Sequence, residues 1–427
     1  MHPEPPAPLA RVATPAAIGA VAALSVAAFS YVCVENLPIG LLPLIAADLD
    51  RSQSAVGMLV TAYGGTVAIA SVPLTRLTLG VPRRRLIAGL LAVFVVASVV
   101  SAAAANYWML LAARLATALS QATFWGVVAT TAIGLFPARM RGRVIAVTFA
   151  GASLATVVGV PAGTWLGQHT NWRVSFAALS GLGLLALVTV AVLLPDIAPG
   201  GGHAASGASP DRRRYAVVLA TTMLVVTGVF AAYTYVVAFL VDVGGFSTDA
   251  VSPLLLLNGV AGLAGLVLAG VVADRWLRVA MTAPVALIVV ALIGLYLAGG
   301  SRLGAAAFLA LSGFALSGVP TAMQSRIMQV APGSTDIASA GNSAAFNVGV
   351  AGGALVGGLL LPEFGVRSTA LAGSVFAVLA LVIVVAEPLI VRRRRPTDRP
   401  SREFWTDEGV EVDTPADTSD SNRSVVA

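Results

Sequence analysis

Lysine is absent from this sequence of 427 residues, and charge of any kind is scarce, Asp, Glu, Lys and Arg together making up 11%. A soluble domain usually covers itself with about a quarter charged residues, so water is excluded as the main solvent of most of the chain. All 26 basic residues are therefore arginine. Histidine occurs only at His2, His169 and His203, three remote points that cannot form a His-rich metal cluster. Cysteine occurs once, at Cys33 inside an apolar run, which excludes an internal disulfide or a cysteine metal site. A Walker sequence is missing, so ATP hydrolysis by this chain is not expected. The glycine-rich stretch from Gly349 to Gly358 lies in an apolar span with no strand before it, which disqualifies it as a dinucleotide loop. With no catalytic constellation, the expectation is a protein that is not an enzyme and needs no cofactor or metal.

What is present is apolar. Hydrophobic residues make up 57% and the mean hydropathy is +0.88. The pI near 10.1 could suggest nucleic acid, but basic loops that orient a membrane protein account for it better, and no nucleic-acid partner is expected. A bilayer core about 30 Å thick needs roughly 20 helical residues. Apolar runs between charge clusters and Gly/Pro breaks predict spans near 15–47, 53–75, 86–105, 107–136, 143–167, 173–194, 215–242, 249–273, 279–299, 303–330, 337–361 and 368–391. The first run is far longer than the 7–15 residues of a signal-peptide core. The fold class expected is all-α integral membrane, with twelve transmembrane helices in two pseudo-symmetric six-helix bundles.

The arginines predict orientation. With both termini cytoplasmic, inner segments hold 17 arginines and outer loops hold four, Arg51, Arg173, Arg302 and Arg367; cytoplasmic loops carry the excess of basic residues. The domain organisation expected is a cytoplasmic N-terminus (1–14), an N-terminal bundle (15–194), a Gly/Ser-rich and then basic linker (195–214), a C-terminal bundle (215–391) and a polar, disordered cytoplasmic tail (392–427). An internal repeat supports two halves: Gly151–Gly167 and Gly341–Gly357, offset by 190, match at eight of 17 positions, four of them glycine pairs. These are the fifth and eleventh spans, the same place in each half.

The loop after the eighth span reads Gly270-Val-Val-Ala-Asp274-Arg275-Trp276-Leu277-Arg278. It resembles the G-x-x-x-D-R-x-G-R signature of the major facilitator superfamily. The first-half copy is degenerate, with Thr75 before Arg76 where the acid would stand. Arg114 resembles the superfamily's span-four arginine. Span five, with Gly151, Gly159, Pro161, Gly163 and Gly167, resembles the span-five motif of drug:proton antiporters, and Glu35-Asn-Leu-Pro-Ile-Gly40-Leu-Leu-Pro43 is similar to the opening of arabinose-efflux-permease-like and chloramphenicol-exporter-like transporters. The resemblance implies a secondary transporter that exports a small drug-like or amphipathic compound in exchange for protons, as a monomer in the cytoplasmic membrane. Sugar or metabolite transport on the same fold, and a non-transporting receptor, stand as alternatives.

Glu35 is the only acid expected deep in the first six spans. A charge in hydrocarbon costs roughly 2.5–3.5 kcal/mol on insertion scales, and burial favours a neutral carboxyl, so such a group can take a proton on one side and release it on the other. A structural pairing with an arginine, or a place in a wet vestibule, is the competing reading. At 1.5 Å per residue, Glu35 lies about 6 Å and Arg114 about 10 Å outward of their spans' midpoints, close enough to pair. The second half shows no matching deep acid, and the counterpart of Glu35 is Thr234. Tyr31, Asn36, Gln121, Phe124, Trp125, Tyr233, Tyr235, Asn258, Gln324, Asn342, Phe346 and Asn347 are candidate cavity residues, though each also suits helix packing. Arg326, about a turn from the end of span ten, is expected to snorkel to the cytoplasm. The glycines of span five line one face that could press on the other half or pack tightly within its own. Pro161 should kink that span, and Arg76, Gly270, Asp274 and Arg275 are expected to act in a gate.

Overall fold

A computed structural model describes residues 15–78, 80–136, 140–195, 209–333 and 335–391. The expected N-terminal segment 1–14, most of the linker 195–214 and the tail 392–427 lie outside the described residues. All regular structure among the described residues is helical, running α1 (Pro15–Gly40), α2 (Leu42–Asp48), α3 (Gln53–Leu77), α4 (Arg83–Ala102), α5 (Tyr107–Gly134), α6 (Arg141–Leu154), α7 (Val160–His169), α8 (Trp172–Leu193), α9 (Arg212–Tyr233), α10 (Val236–Ala238), α11 (Thr248–Arg275), α12 (Leu277–Ala298), α13 (Arg302–Val330), α14 (Thr335–Phe364) and α15 (Arg367–Val391).

Eleven spans are long and apolar enough to cross a bilayer. The twelfth, α5, is 28 residues long, about 42 Å at the helical rise. It carries Arg114, Thr117, Ser120, Gln121 and Thr123, all buried, and these polar groups make it the least lipid-like of the long helices. Polar residues begin many spans in the same way: the side chains of Ser52, Asn106, Asn171, Asp211 and Ser301 each accept a hydrogen bond from a first-turn N–H. Such caps satisfy orphan donors just where the chain turns back.

Three spans are interrupted where the sequence suggested continuous helix. The first run breaks between Gly40 and Leu42, with Pro43 at the start of α2. In span five, Ala155–Gly159 forms a π turn between α6 and α7. In span seven the chain breaks at Thr234 and Tyr235 and then winds a second π turn, Phe239–Val243. The cause in span five is Pro161, which has no N–H to give the carbonyl four residues back. The wider π turn absorbs the mismatch, Val160 N–H reaching Ala155 O.

Packing reveals the symmetry. In the first half α1 lies on α6 and α8, α4 on α5 and α8, and α3 on α5. In the second half α9 lies on α14 and α15, α12 on α13 and α15, and α11 on α13. Each pair in one half has its counterpart in the other. The contacts between halves obey the same rule: α3 meets α14 and α7 meets α11, so exchanging the halves maps one interface onto the other. α1 and α9, the first span of each half, are the most buried.

The interhalf contacts run from mid-span to the end where α3 and α11 begin. A Cβ added at Gly64 would lie 3.1 Å from Asn347 O, and one at Gly259 would lie 2.7 Å from Thr156 O. Nearer that end, Ser252 Oγ donates to Pro161 O at 2.6 Å and Gln168 Nε2 to Thr248 O at 3.0 Å. Tyr235 sits against Gly57 and Gly358, its hydroxyl donating to Ala354 O at 3.0 Å.

Candidate functional site

The site begins with a proline. Pro38 lies inside α1, and its missing N–H leaves the carbonyl of Val34 without a helical donor. Arg114 of α5 supplies one: its Nη1 donates to Val34 O at 2.9 Å and its Nη2 to Glu35 O at 3.2 Å. The guanidinium is 1% exposed and lies 4.7 Å from the centre of the Tyr63 ring, a cation–π distance. Its Nε has no partner.

The carboxylate of Glu35 does not pair with Arg114. It accepts instead from Gln121 Nε2 at 2.7 Å, and Gln121 Oε1 accepts from Tyr63 OH at 2.6 Å. The expected Glu35–Arg114 ion pair is therefore replaced by two separate arrangements: the arginine holds the backbone of α1, and a neutral amide holds the carboxylate. The reason is geometric, since the carbonyl freed by Pro38 gives the cation a fixed acceptor and leaves the acid side chain to rotate away. Glu35 is half-buried, whereas Gln121 and Tyr63 are fully buried. The chain thus builds Tyr63–Gln121–Glu35 across α3, α5 and α1, beside the point where α3 meets α14.

Tyr63 was not among the candidates from sequence. Its signal is a tyrosine inside the polar break Thr61-Ala-Tyr63-Gly64-Gly65-Thr66 of an otherwise apolar span.

The other candidates are dispersed. Tyr31 is fully buried among Phe94 (4.9 Å) and Phe124 (4.7 Å), its hydroxyl bonded to Ser120 and, at 3.2 Å, to Leu90 O. Trp125 stacks on Phe149 at 5.6 Å. Asn36 Nδ2 donates within its own helix, to Val32 O at 2.9 Å. Asn258 holds α11 to α13 through Leu309 O at 2.8 Å, and Gln324 holds α13 to α14 through Ser339 Oγ at 2.7 Å. Asn342 Oδ1 accepts from Thr222 of α9 at 2.8 Å. Phe346 lies 6.4 Å from Phe230, and Asn347 bonds Ser343 O at 2.9 Å. Tyr233 faces an apolar cleft inside the second half with Val229, Leu292 and Leu309.

One expectation for the second half is corrected. Arg326 does not snorkel: it pairs with Glu387 of α15 and donates to Gln329 Oε1 at 3.1 Å. Glu387 is a buried acid, 7% exposed, but not a deep one. It sits about a turn from the end of its span rather than near the middle, and its partner is 61 residues away. No local pattern announces such a pair.

The span-five glycines face their own half. Cβ atoms added at Gly151, Gly159, Gly163 and Gly167 would meet Ser25 O, Cys33 Sγ, Leu37 Cδ1 and Leu41 Cδ2 at 1.9, 2.3, 2.8 and 2.6 Å, all but Leu41 within α1. The opposite face, through Thr156, Val157 and Pro161, meets α11. Arg76 and Arg275 are exposed in the last turns of α3 and α11. The surroundings of Gly270 and the side chain of Asp274 lie outside those described.

Comparisons agree with this architecture. The family model of the Major Facilitator Superfamily matches residues 24–338. The chain is 32% identical over 368 residues to a "Probable sugar efflux transporter" of Mannheimia succiniciproducens, covering 85% of this chain and 92% of that protein. A protein of the same name from Helicobacter pylori is 30% identical over 359 residues, covering 84% and 92%. Among solved structures, a bacterial homologue of the human lysosomal transporter Spinster, inward-facing and unoccupied, superposes with a TM-score of 0.67 at 15% identity over 91% of this chain and 100% of that one. The human organic anion transporter MFSD10 gives 0.61 at 15% identity over 87% and 100%. The chain belongs to the Major Facilitator Superfamily and is a multi-pass membrane transporter, not an enzyme.

Proposed function

We propose that the protein is a proton-coupled exporter of a small neutral polyhydroxy compound, a sugar or a relative of one, working by alternating access in the cell membrane. The observation that carries this reading is the Glu35 carboxylate held by Gln121, a neutral amide, instead of by a cation. An acid whose carboxylate is in no direct ion pair can change protonation without first breaking one, and an amide–carboxylate pair offers the donors and acceptors that hydroxyl groups need. The names of the relatives in Mannheimia and Helicobacter support a sugar over a drug-like cation. Export of drug-like compounds becomes the second reading, favoured by the span-five motif.

In the proposed cycle the bundles 15–194 and 215–391 rock about the site, joined by the linker 195–214 and with both termini cytoplasmic. The arginine-rich ends then face the cytoplasm, the α3–α14 and α7–α11 contacts lie at the outer end, and their parting opens the site to the outside. Substrate enters beside Glu35 from the cytoplasm. A proton arriving from outside neutralises Glu35 and weakens the hold on substrate, so that outward release and proton entry are linked.

Proteoliposomes with an imposed pH gradient test this. Wild type is expected to accumulate radiolabelled sugars only with the gradient, and Glu35→Gln to lose gradient-driven accumulation by at least tenfold while still exchanging substrate across the membrane. Accumulation of lipophilic cations but not sugars overturns the substrate class. An unchanged pH dependence in Glu35→Gln overturns the coupling role.

A further inference from the structure

At the arginine-rich end of the second half, a recess of ≈ 430 Å³ opens beside the start of α12. It is lined by Trp276, Leu277, Arg278, Val279 and Met281, with Arg326 and Gln329 from the end of α13. We propose that this recess binds the phosphate headgroup of an anionic phospholipid in the leaflet on that side.

Its chemistry is that of an anion site at a membrane surface. Arg278 is exposed and unpaired among the described ion pairs. Arg326 closes the inner wall, its charge offset by Glu387 while its Nε is buried without a partner. The uncompensated charge is therefore that of Arg278, with Arg275 exposed one turn earlier. The recess is also walled by the first turn of α12, which no side chain caps, so its first N–H groups can donate to an anion there.

The apolar rim selects a lipid over a free anion. Trp276 and Val279 are 62% and 49% exposed. A tryptophan at the end of a span sits naturally at headgroup depth, and Val279 continues along α12 toward the hydrocarbon, where an acyl chain would lie. Basic recesses between spans on the cytoplasmic side are suited to anionic headgroups.

The test is lipid retention by the purified full-length protein in native mass spectrometry, titrated with phosphatidylglycerol or with phosphatidylcholine of the same chains. Wild type is expected to retain phosphatidylglycerol preferentially. Arg278→Gln, a change at an exposed side chain, is expected to reduce that preference about fivefold, the worth of one basic residue at an anionic surface. Arg212→Gln, on another helix start at the same end, is expected to leave it within twofold. Equal retention of the two lipids by wild type overturns the proposal, as does an equal effect of the two substitutions, which would mark a diffuse field. Displacement of the lipid by millimolar inorganic phosphate overturns the lipid as the ligand and leaves a soluble anion in its place.

Discussion

A proline inside a helix leaves one carbonyl four residues back without its donor, and in α1 that carbonyl, Val34 O, is taken by Arg114. Val34 and Arg114 are 80 positions apart, so neither reports on the other in sequence. Removing the cation by Arg114→Met should cost about 1–3 kcal/mol, the penalty of an unsatisfied buried group. Pro38→Ala should return a helical N–H to Val34 O, so the double variant should lose less than the two single changes together, by at least about 0.5 kcal/mol. Thermal unfolding in detergent reads both, and strict additivity would show that Arg114 acts elsewhere. Arg114 and Glu35 were recognisable as rare charges in apolar runs, because a charge in hydrocarbon needs a reason. Which partner each would choose was not, since the choice depends on a backbone defect in one helix and on Gln121 and Tyr63 arriving from two others.

At the level of the helix, the 190-residue repeat has a physical cause. Gly151, Gly159, Gly163 and Gly167 let span five press on span one, and Gly341, Gly349, Gly353 and Gly357 let span eleven press on span seven, with added Cβ atoms 2.2–2.7 Å from Tyr215 Oη, Met223 O, Thr227 O and Ala231 O. Gly151→Ala would drive a methyl group into the Ser25 carbonyl and should destabilise by about 1–3 kcal/mol, the usual range for overpacking. Gly89→Ala and Gly181→Ala, with open space around them, should be neutral or slightly stabilising in the same melting assay. Glycine spacing specifies a smooth face, but a face does not say what it touches; hence the other half remained an open alternative that the packing removes. Span positions were legible to within a few residues because bilayer thickness sets them. The π turns were not, because they are local changes of hydrogen-bond partner with no hydropathy signature.

For the molecule as a whole, α3–α14 and α7–α11 form two symmetry-related seams that close one end. If transport requires them to part, joining them stops it. Gln168→Cys with Thr248→Cys places thiols at a point where α7 and α11 already share a hydrogen bond, and the native Cys33 is buried. A short cleavable thiol crosslinker between them should abolish uptake into proteoliposomes, and reduction should restore it. Uptake that survives complete crosslinking would mean this seam stays shut throughout the cycle. Two halves were visible in the sequence from the repeat and the arginine clusters, but which helices cross between them required the three-dimensional arrangement.

The polarity of α5 carries a further consequence, for how the protein is made. An arginine within a span opposes entry into the bilayer, by up to roughly 2.5–3.5 kcal/mol at the helix centre, and α5 adds Gln121 and several hydroxyls to the burden of Arg114. On its own it is a poor candidate for insertion as it leaves the ribosome. The groups that satisfy it, Val34 O, Glu35 and Tyr63, belong to α1 and α3, which are synthesised earlier and can already be in the membrane. The order of the helices along the chain thus allows the segment least welcome in lipid to enter against waiting partners.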